Sequence, residues 1–84
     1  MDFSKLQDLL DSQYTWPDKY SFKFVGNEGH RDELIKVIGT EPSSERPSKS
    51  GKYISFTFTV EILKSEDVIA IYKNVSKISG IISL

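Results

Sequence analysis

The chain has 84 residues, a net charge of −1 and no cysteine. A chain of this length forms one small domain with a modest core, which leaves little room for a catalytic domain plus a regulator. The near-neutral charge provides no general attraction to nucleic acid, and the lack of cysteine excludes disulfides, thiolate zinc sites and a thiol nucleophile.

The first predicted element is a short amphipathic helix over residues 2–12. The apolar residues that recur at helical spacing are Phe3, Leu6, Leu9 and Leu10. A helix this short is marginal alone, so its apolar stripe must dock on the rest of the domain, on a partner or on a second copy. We therefore treat residues 1–13 as an N-terminal helical extension and residues 14–84 as the domain proper.

A strand with an aromatic inner face comes next and ends at Gly26. Its inner residues are Tyr20, Phe22 and Phe24, which alternate with Ser21, Lys23 and Val25. A tight loop over residues 27–29 then leads into a second helix over residues 30–38. Gly39 is placed to stop that helix.

The clearest strand runs from Ile54 to Ile62. Apolar residues alternate there with Ser55, Thr57, Thr59 and Glu61, which indicates one buried face. Its length and its aromatic and β-branched residues predict a central strand. Before it, Pro42 and Pro47 allow only a weak edge strand around residues 43–48. A turn at residues 50–51 joins that strand to the long one as a hairpin.

The last helix is predicted to begin at Ser65 as its N-cap and to carry an apolar arc from Val68 to Ile78. Gly80 ends it, and residues 81–84 form a short final strand.

The order β-α-β-β-α-β predicts an α+β, ferredoxin-like fold. In this fold two helices cover one face of a four-stranded antiparallel sheet, here with an added N-terminal helix. Strands 1 and 3 are the central pair. The opposite face is polar unless the first helix crosses it or two copies pair, and its predicted residues are Ser21, Lys23, Ser55, Thr57 and Thr59.

Several stretches resemble the YbeD-like family of small bacterial proteins. They are Trp16-Pro17, the strand over residues 20–26, residues 46–53 and residues 71–73 before Gly80. The segment from Pro47 to Tyr53 is the most distinctive, and the resemblance covers residues 14–84. It implies a ferredoxin-like fold similar to the ACT regulatory domains and a binding or regulatory module without catalytic residues. The family's biochemical role is not established.

One candidate ligand site is the loop that contains Gly26, Asn27, Gly29 and His30. Backbone N–H groups before a helix can hold an anion, and the corresponding ACT loop contacts amino-acid effectors. The alternative is a turn that needs glycine for positive φ. As the one histidine in the chain, His30 has no nucleophile or metal-ligand spacing beside it, so we predict no catalytic residue, no metal and no cofactor.

A second candidate site is the basic hairpin that contains Arg46, Lys49, Lys52 and Tyr53. These cations are suited to a carboxylate or to the acidic surface of a protein partner. The alternative is a solvated turn that protects an edge strand.

The sequence therefore predicts a non-catalytic regulatory or adaptor domain that binds a protein partner or a second copy. The alternative is an ACT-like sensor of a small metabolite such as an amino acid or carboxylate. RNA binding is disfavoured because the outer residues of the central strands are not aromatic and no RNP1 sequence is present. No run of about 18 apolar residues exists for a membrane span, and Asp2 and Asp8 lie where a signal peptide would be basic. We expect a cytoplasmic protein.

Overall fold

The computed structural model of the protein describes residues 3–84. Within them the helices are α1 (Phe3–Gln13), α2 (Arg31–Ile38) and α3 (Ser65–Val75), and one turn of 3₁₀ helix (Glu28–His30) precedes α2. The strands are β1 (Asp18–Gly26), β2 (Ser44–Pro47), β3 (Ile54–Ile62) and β4 (Ile82–Ser83). The start of the first helix at Asp2 lies outside the described residues.

The four strands form one antiparallel sheet with the order β2-β3-β1-β4. β1 and β3 pair along their whole length, from Asp18 opposite Ile62 to Gly26 opposite Ile54. Both crossover connections therefore bring β1 and β3 together at the centre, as the ferredoxin-like arrangement requires. The predicted α+β fold is confirmed.

The core lies between the sheet and the helices and is centred on four phenylalanines. Phe22, Phe24, Phe56 and Phe58 are all 0% exposed. Phe22 lies directly opposite Phe58 and Phe24 directly opposite Phe56 in the register of the central pair. Burying each ring stabilises the fold by about 1.5–3 kcal/mol. The helices complete this core with Leu34, Val68 and Val75.

Helix α1 packs beside α3, on the same side of the sheet as the core. Leu10 is 3% exposed and belongs to the core cluster, and the Gln7 side-chain amide donates to Glu66 Oε1 at 3.0 Å. The first helix therefore docks on its own chain. The division into residues 1–13 and 14–84 stays a prediction.

The ends of the helices differ in part from the sequence predictions. Gly39 ends α2 with φ 89°, as predicted. Ser65 is not the N-cap of α3: Lys64 holds that position, and the buried Ser65 hydroxyl donates to Glu66 Oε1. The helix stops at Val75, and Ile78 packs against the core from the turn that follows.

Candidate functional site

The register of β2 with β3 decides which face of the sheet carries Arg46. Ser44 lies opposite Thr57 and Arg46 opposite Ser55. On the other side of β3, Lys23 of β1 lies opposite Thr57. Residues directly opposite each other project from the same face of a sheet. Arg46 and Lys23 therefore lie on the face away from the core, with the hydroxyls of β3 between them.

This outer face, which we call the open face, carries two adjoining shallow cavities near the β2–β3 turn. One, of about 140 Å³, is lined by Lys23, Ser44, Arg46, Ser55 and Thr57. The other, of about 240 Å³, is lined by Val25, Arg46, Pro47, Ser48, Tyr53 and Ser55. Arg46 and Ser55 belong to both cavities, so the two form one groove with a polar half and a more apolar half.

The groove carries the positive charges of Lys23 and Arg46. Glu45, the neighbour of Arg46, projects from the opposite face and forms an ion pair with Arg31 at 3.1 Å. Within residues 3–84, Lys23 and Arg46 have no salt-bridge partner. The groove is therefore a local basic site on a chain whose net charge is −1.

The far end of the same face is electrically balanced. Lys19 lies directly opposite Glu61 across the central strand pair. Glu61 lies four residues along β3 from Thr57, the residue opposite Lys23. At about 3.3 Å per residue this distance is about 13 Å, which exceeds the Debye length of about 8 Å at physiological salt. Glu61 therefore does little to neutralise the groove.

The predicted hairpin residues are only partly brought together. Tyr53 lines the groove beside Arg46, and Lys52 Nζ lies 5.5 Å from the centroid of the Tyr53 ring. Lys49 is in the exposed turn and lines neither cavity. The sequence prediction of this site did not include Lys23 or Ser44. The alternation of side chains along β1 places Lys23 on the outer face, but assigning Lys23 and Ser44 to this site also requires the register of β2 with β3.

The loop over Gly26, Asn27, Gly29 and His30 is held together by the histidine ring. His30 Nδ1 accepts a hydrogen bond from the Asn27 backbone N–H at 3.0 Å, and Nε2 lies 2.9 Å from the Ser79 carbonyl oxygen. These partners assign the neutral tautomer with its proton on Nε2, which donates to Ser79. His30 thus connects the two loops at this end of the domain.

Position 26 requires glycine because a larger residue would collide with the His30 ring, and not because the backbone angle is unusual. A Cβ atom at this position would lie 2.7 Å from His30 Nδ1. The glycines with positive φ are Gly39, Gly51 and Gly80, so the turn interpretation based on positive φ is wrong for Gly26 and Gly29. The His30 ring occupies the space beside Gly26 and contacts Gly80 on its other side, where a Cβ would lie 3.2 Å from Cε1.

A third cavity lies between α1, α3 and β4. Its volume is about 400 Å³, and its lining is Phe3, Leu6, Tyr72, Ser76, Ser83 and Leu84. The hydroxyl of Ser76 donates to the Lys73 carbonyl oxygen, and the hydroxyls of Tyr72 and Tyr20 are 3.2 Å apart. Burial raises the pKa of Tyr72, and the hydrogen bond with Tyr20 raises it further.

No group of three or more histidine, aspartate or glutamate side chains is placed to hold a metal ion among residues 3–84. None of the helices in that range is long and apolar enough to cross a membrane.

The fold and the groove define a small ferredoxin-like domain with one face of its sheet left open. The chain belongs to a family described as protein of unknown function (DUF493), whose model matches residues 11–84. It is also similar to a UPF0250 protein of Haemophilus influenzae strain Rd, with 29% identity over 87 residues, 95% of this chain and 90% of the relative. The corresponding protein of strain 86-028NP gives the same values. The resemblance to the YbeD-like family is confirmed. No solved structure matches the chain.

Proposed function

We propose that this protein is a non-catalytic regulatory or adaptor domain of the cytoplasm that binds a protein partner on its open face. The observation that carries the proposal is the groove in which Lys23 and Arg46 lie without acidic partners among the described residues. Cations left unpaired at the surface favour association with a surface of opposite charge. The groove is therefore the part of the chain best suited to a partner.

The open shape of the groove favours a protein over a small molecule. Small-molecule sites are typically concave pockets of about 300–1,000 Å³ that enclose most of the ligand. The two cavities, of about 140 and 240 Å³, together reach the lower part of that range, but they lie side by side on an open sheet face and do not enclose a ligand. A segment of another protein can lie across both of them.

The free edge of β2 is less suitable than its face. Pro47 lies on this edge strand and has no backbone N–H to donate to an added strand. A partner that approaches this side therefore gains more from the side chains on the face than from extending the sheet.

The alternative of metabolite sensing at residues 26–30 gains no support from the contacts of that loop. Both nitrogens of the His30 ring are already hydrogen-bonded to the chain's own backbone, and the ring fills the space beside Gly26. The larger cavity beside α1 offers few free polar groups to orient a ligand, because the hydroxyls of Ser76 and Tyr72 have partners within the domain.

Capture from native lysate with crosslinking tests the proposal. The full-length tagged protein is compared with Lys23→Gln/Arg46→Gln and with a control, Lys19→Gln/Lys36→Gln, that removes the same charge outside the groove. We expect the wild type and the control to recover the same partner, and the groove variant to recover at least about fivefold less. If all three proteins recover equal amounts of the partner, the groove is not the binding site. If the wild-type protein is recovered without any partner and stays monomeric across a concentration series, the adaptor function is excluded.

A further inference from the structure

The groove on the open face has two chemically different halves that lie side by side. Lys23 and the hydroxyls of Ser55 and Thr57 form the polar half, and Arg46 lies between the halves. Val25 and Tyr53 contribute to the other half. Lys23 and Val25 are two residues apart on β1, so the halves are separated by about 6.6 Å along the strand.

The polar half is suited to a carboxylate. A guanidinium provides paired N–H donors that match the two oxygens of a carboxylate, and a lysine ammonium adds a second positive charge. The serine and threonine hydroxyls beside them are further donors. Because neither cation has a salt-bridge partner among residues 3–84 and no acidic side chain lines this half, an incoming carboxylate replaces no existing ion pair.

The other half is suited to an apolar side chain. Tyr53 is 47% exposed, and its ring borders the groove. Ile82 of β4 lies directly opposite Val25, which places it on the same face, and it is 59% exposed. An apolar or aromatic side chain seated here removes part of this surface from water.

Because side chains on one side of an extended peptide recur every two residues, at about 6.6–7 Å, their spacing equals that of the two halves. We infer that the open face binds an extended segment of a protein partner that carries a glutamate or aspartate and, two residues away, an apolar or aromatic side chain. This inference rests on the proposed function and defines the chemistry of its partner.

A nucleic acid is the other macromolecule whose charge would complement the groove. Single strands are bound mainly by stacking their bases on aromatic side chains of the central strands. The outer residues of β1 and β3 next to the groove are Lys23, Val25, Ser55 and Thr57, and none of them is aromatic. Tyr53, which comes just before β3, is the one aromatic ring among the residues that line the groove, whereas stacking of successive bases needs several such rings. We therefore commit to an acidic protein segment.

Defined peptides test the inference by NMR titration of the full-length, ¹⁵N-labelled protein. The probe is the capped peptide Gly-Glu-Ser-Phe-Gly, compared with Gly-Gln-Ser-Phe-Gly and Gly-Glu-Ser-Ser-Gly. We expect amide shifts centred on Lys23, Val25, Arg46, Ser55 and Thr57 with the first peptide. Affinity should fall at least about fivefold with either changed peptide.

The same titration is repeated on the two double variants. Lys23→Gln/Arg46→Gln should weaken binding of the first peptide at least about fivefold, whereas Lys19→Gln/Lys36→Gln should leave it unchanged. Both variants alter exposed side chains, and circular dichroism confirms that each is folded before titration.

Three results would overturn the inference. The first is no shift in the groove with about 10 mM of the first peptide, a concentration that detects binding of about 1 mM affinity. The second is equal binding of the glutamine peptide. The third is binding of a thymidine decanucleotide at these residues when the first peptide does not bind there. If peptides fail but lysate capture still depends on Lys23 and Arg46, the adaptor function stands and only this partner chemistry is wrong.

Discussion

Replacing Leu10 by alanine tests whether α1 is an integral part of the domain. Leu10 is 3% exposed and contacts the core formed by the sheet and α3. Its neighbour Leu9 on the same helix is 52% exposed. The pair therefore offers the same chemical change at a buried and at an exposed position of one helix.

The expected cost follows from the buried position. A buried leucine replaced by alanine typically loses about 2–5 kcal/mol, from lost transfer energy plus the cavity that remains. An 84-residue domain has a total stability of about 4–13 kcal/mol at 0.05–0.15 kcal/mol per residue. A loss of about 3 kcal/mol is therefore a large share, and at 4–8 °C per kcal/mol it lowers the Tm by about 12–24 °C.

Thermal and urea denaturation of both variants, followed by circular dichroism, measure this difference. Leu9→Ala should change the free energy of unfolding by no more than about 0.5 kcal/mol, the usual range for surface substitutions. Equal stability of Leu10→Ala and Leu9→Ala would refute the docking of α1 on its own domain. It would also support the separation of residues 1–13 from residues 14–84.

Two further predictions concern the end loops and the tyrosine pair. Gly26→Ala should destabilise the domain by about 1–3 kcal/mol in thermal denaturation, because the new Cβ would lie 2.7 Å from His30 Nδ1. In a His30→Ala background the same substitution should cost less than half as much, and equal costs would contradict the contact. Because the pKa of Tyr72 is raised in the folded protein, its contribution to stability is complete below the unfolded pKa of about 10 and is lost as the pH rises above it. Tyr72→Phe should therefore lose less stability than the wild type between about pH 9 and 11 in urea denaturation, and identical pH dependence would contradict the burial of this hydroxyl.

The order of the elements predicted that β1 and β3 form the central pair of strands, and the alternation of side chains along them predicted the two faces of the sheet. A period of two assigns every residue of a strand to one face or the other, so Phe22 and Phe56 were predicted to be buried and Lys23 and Thr57 to be on the outer face. The structure confirms this division.

The groove could not be assembled from the sequence, because it depends on the pairing of a four-residue strand. β2 has no apolar alternation, and a shift of one residue in its register would move Arg46 to the opposite face. The connection that His30 makes between two loops could not be predicted either, because it joins residues that are far apart in the sequence. The second hydrogen bond of the His30 ring reaches Ser79, which is 49 residues away in the chain.

The apolar arc of the last helix led to a wrong boundary. Ile78 continues the helical spacing of the buried residues before it, yet it reaches the core from a turn after Val75. Burial patterns identify which side chains contact the core, whereas a helix end depends on the backbone hydrogen bonds of the last turn.

The two faces of strand β3 have different roles. Phe56 and Phe58 are buried in the core on one face, while Ser55 and Thr57 border the groove on the other face. Randomising positions 23, 25, 46, 55 and 57 would therefore change the chemistry of the outer surface without altering the phenylalanine core. This small cysteine-free domain is thus a candidate scaffold for selecting artificial binding proteins.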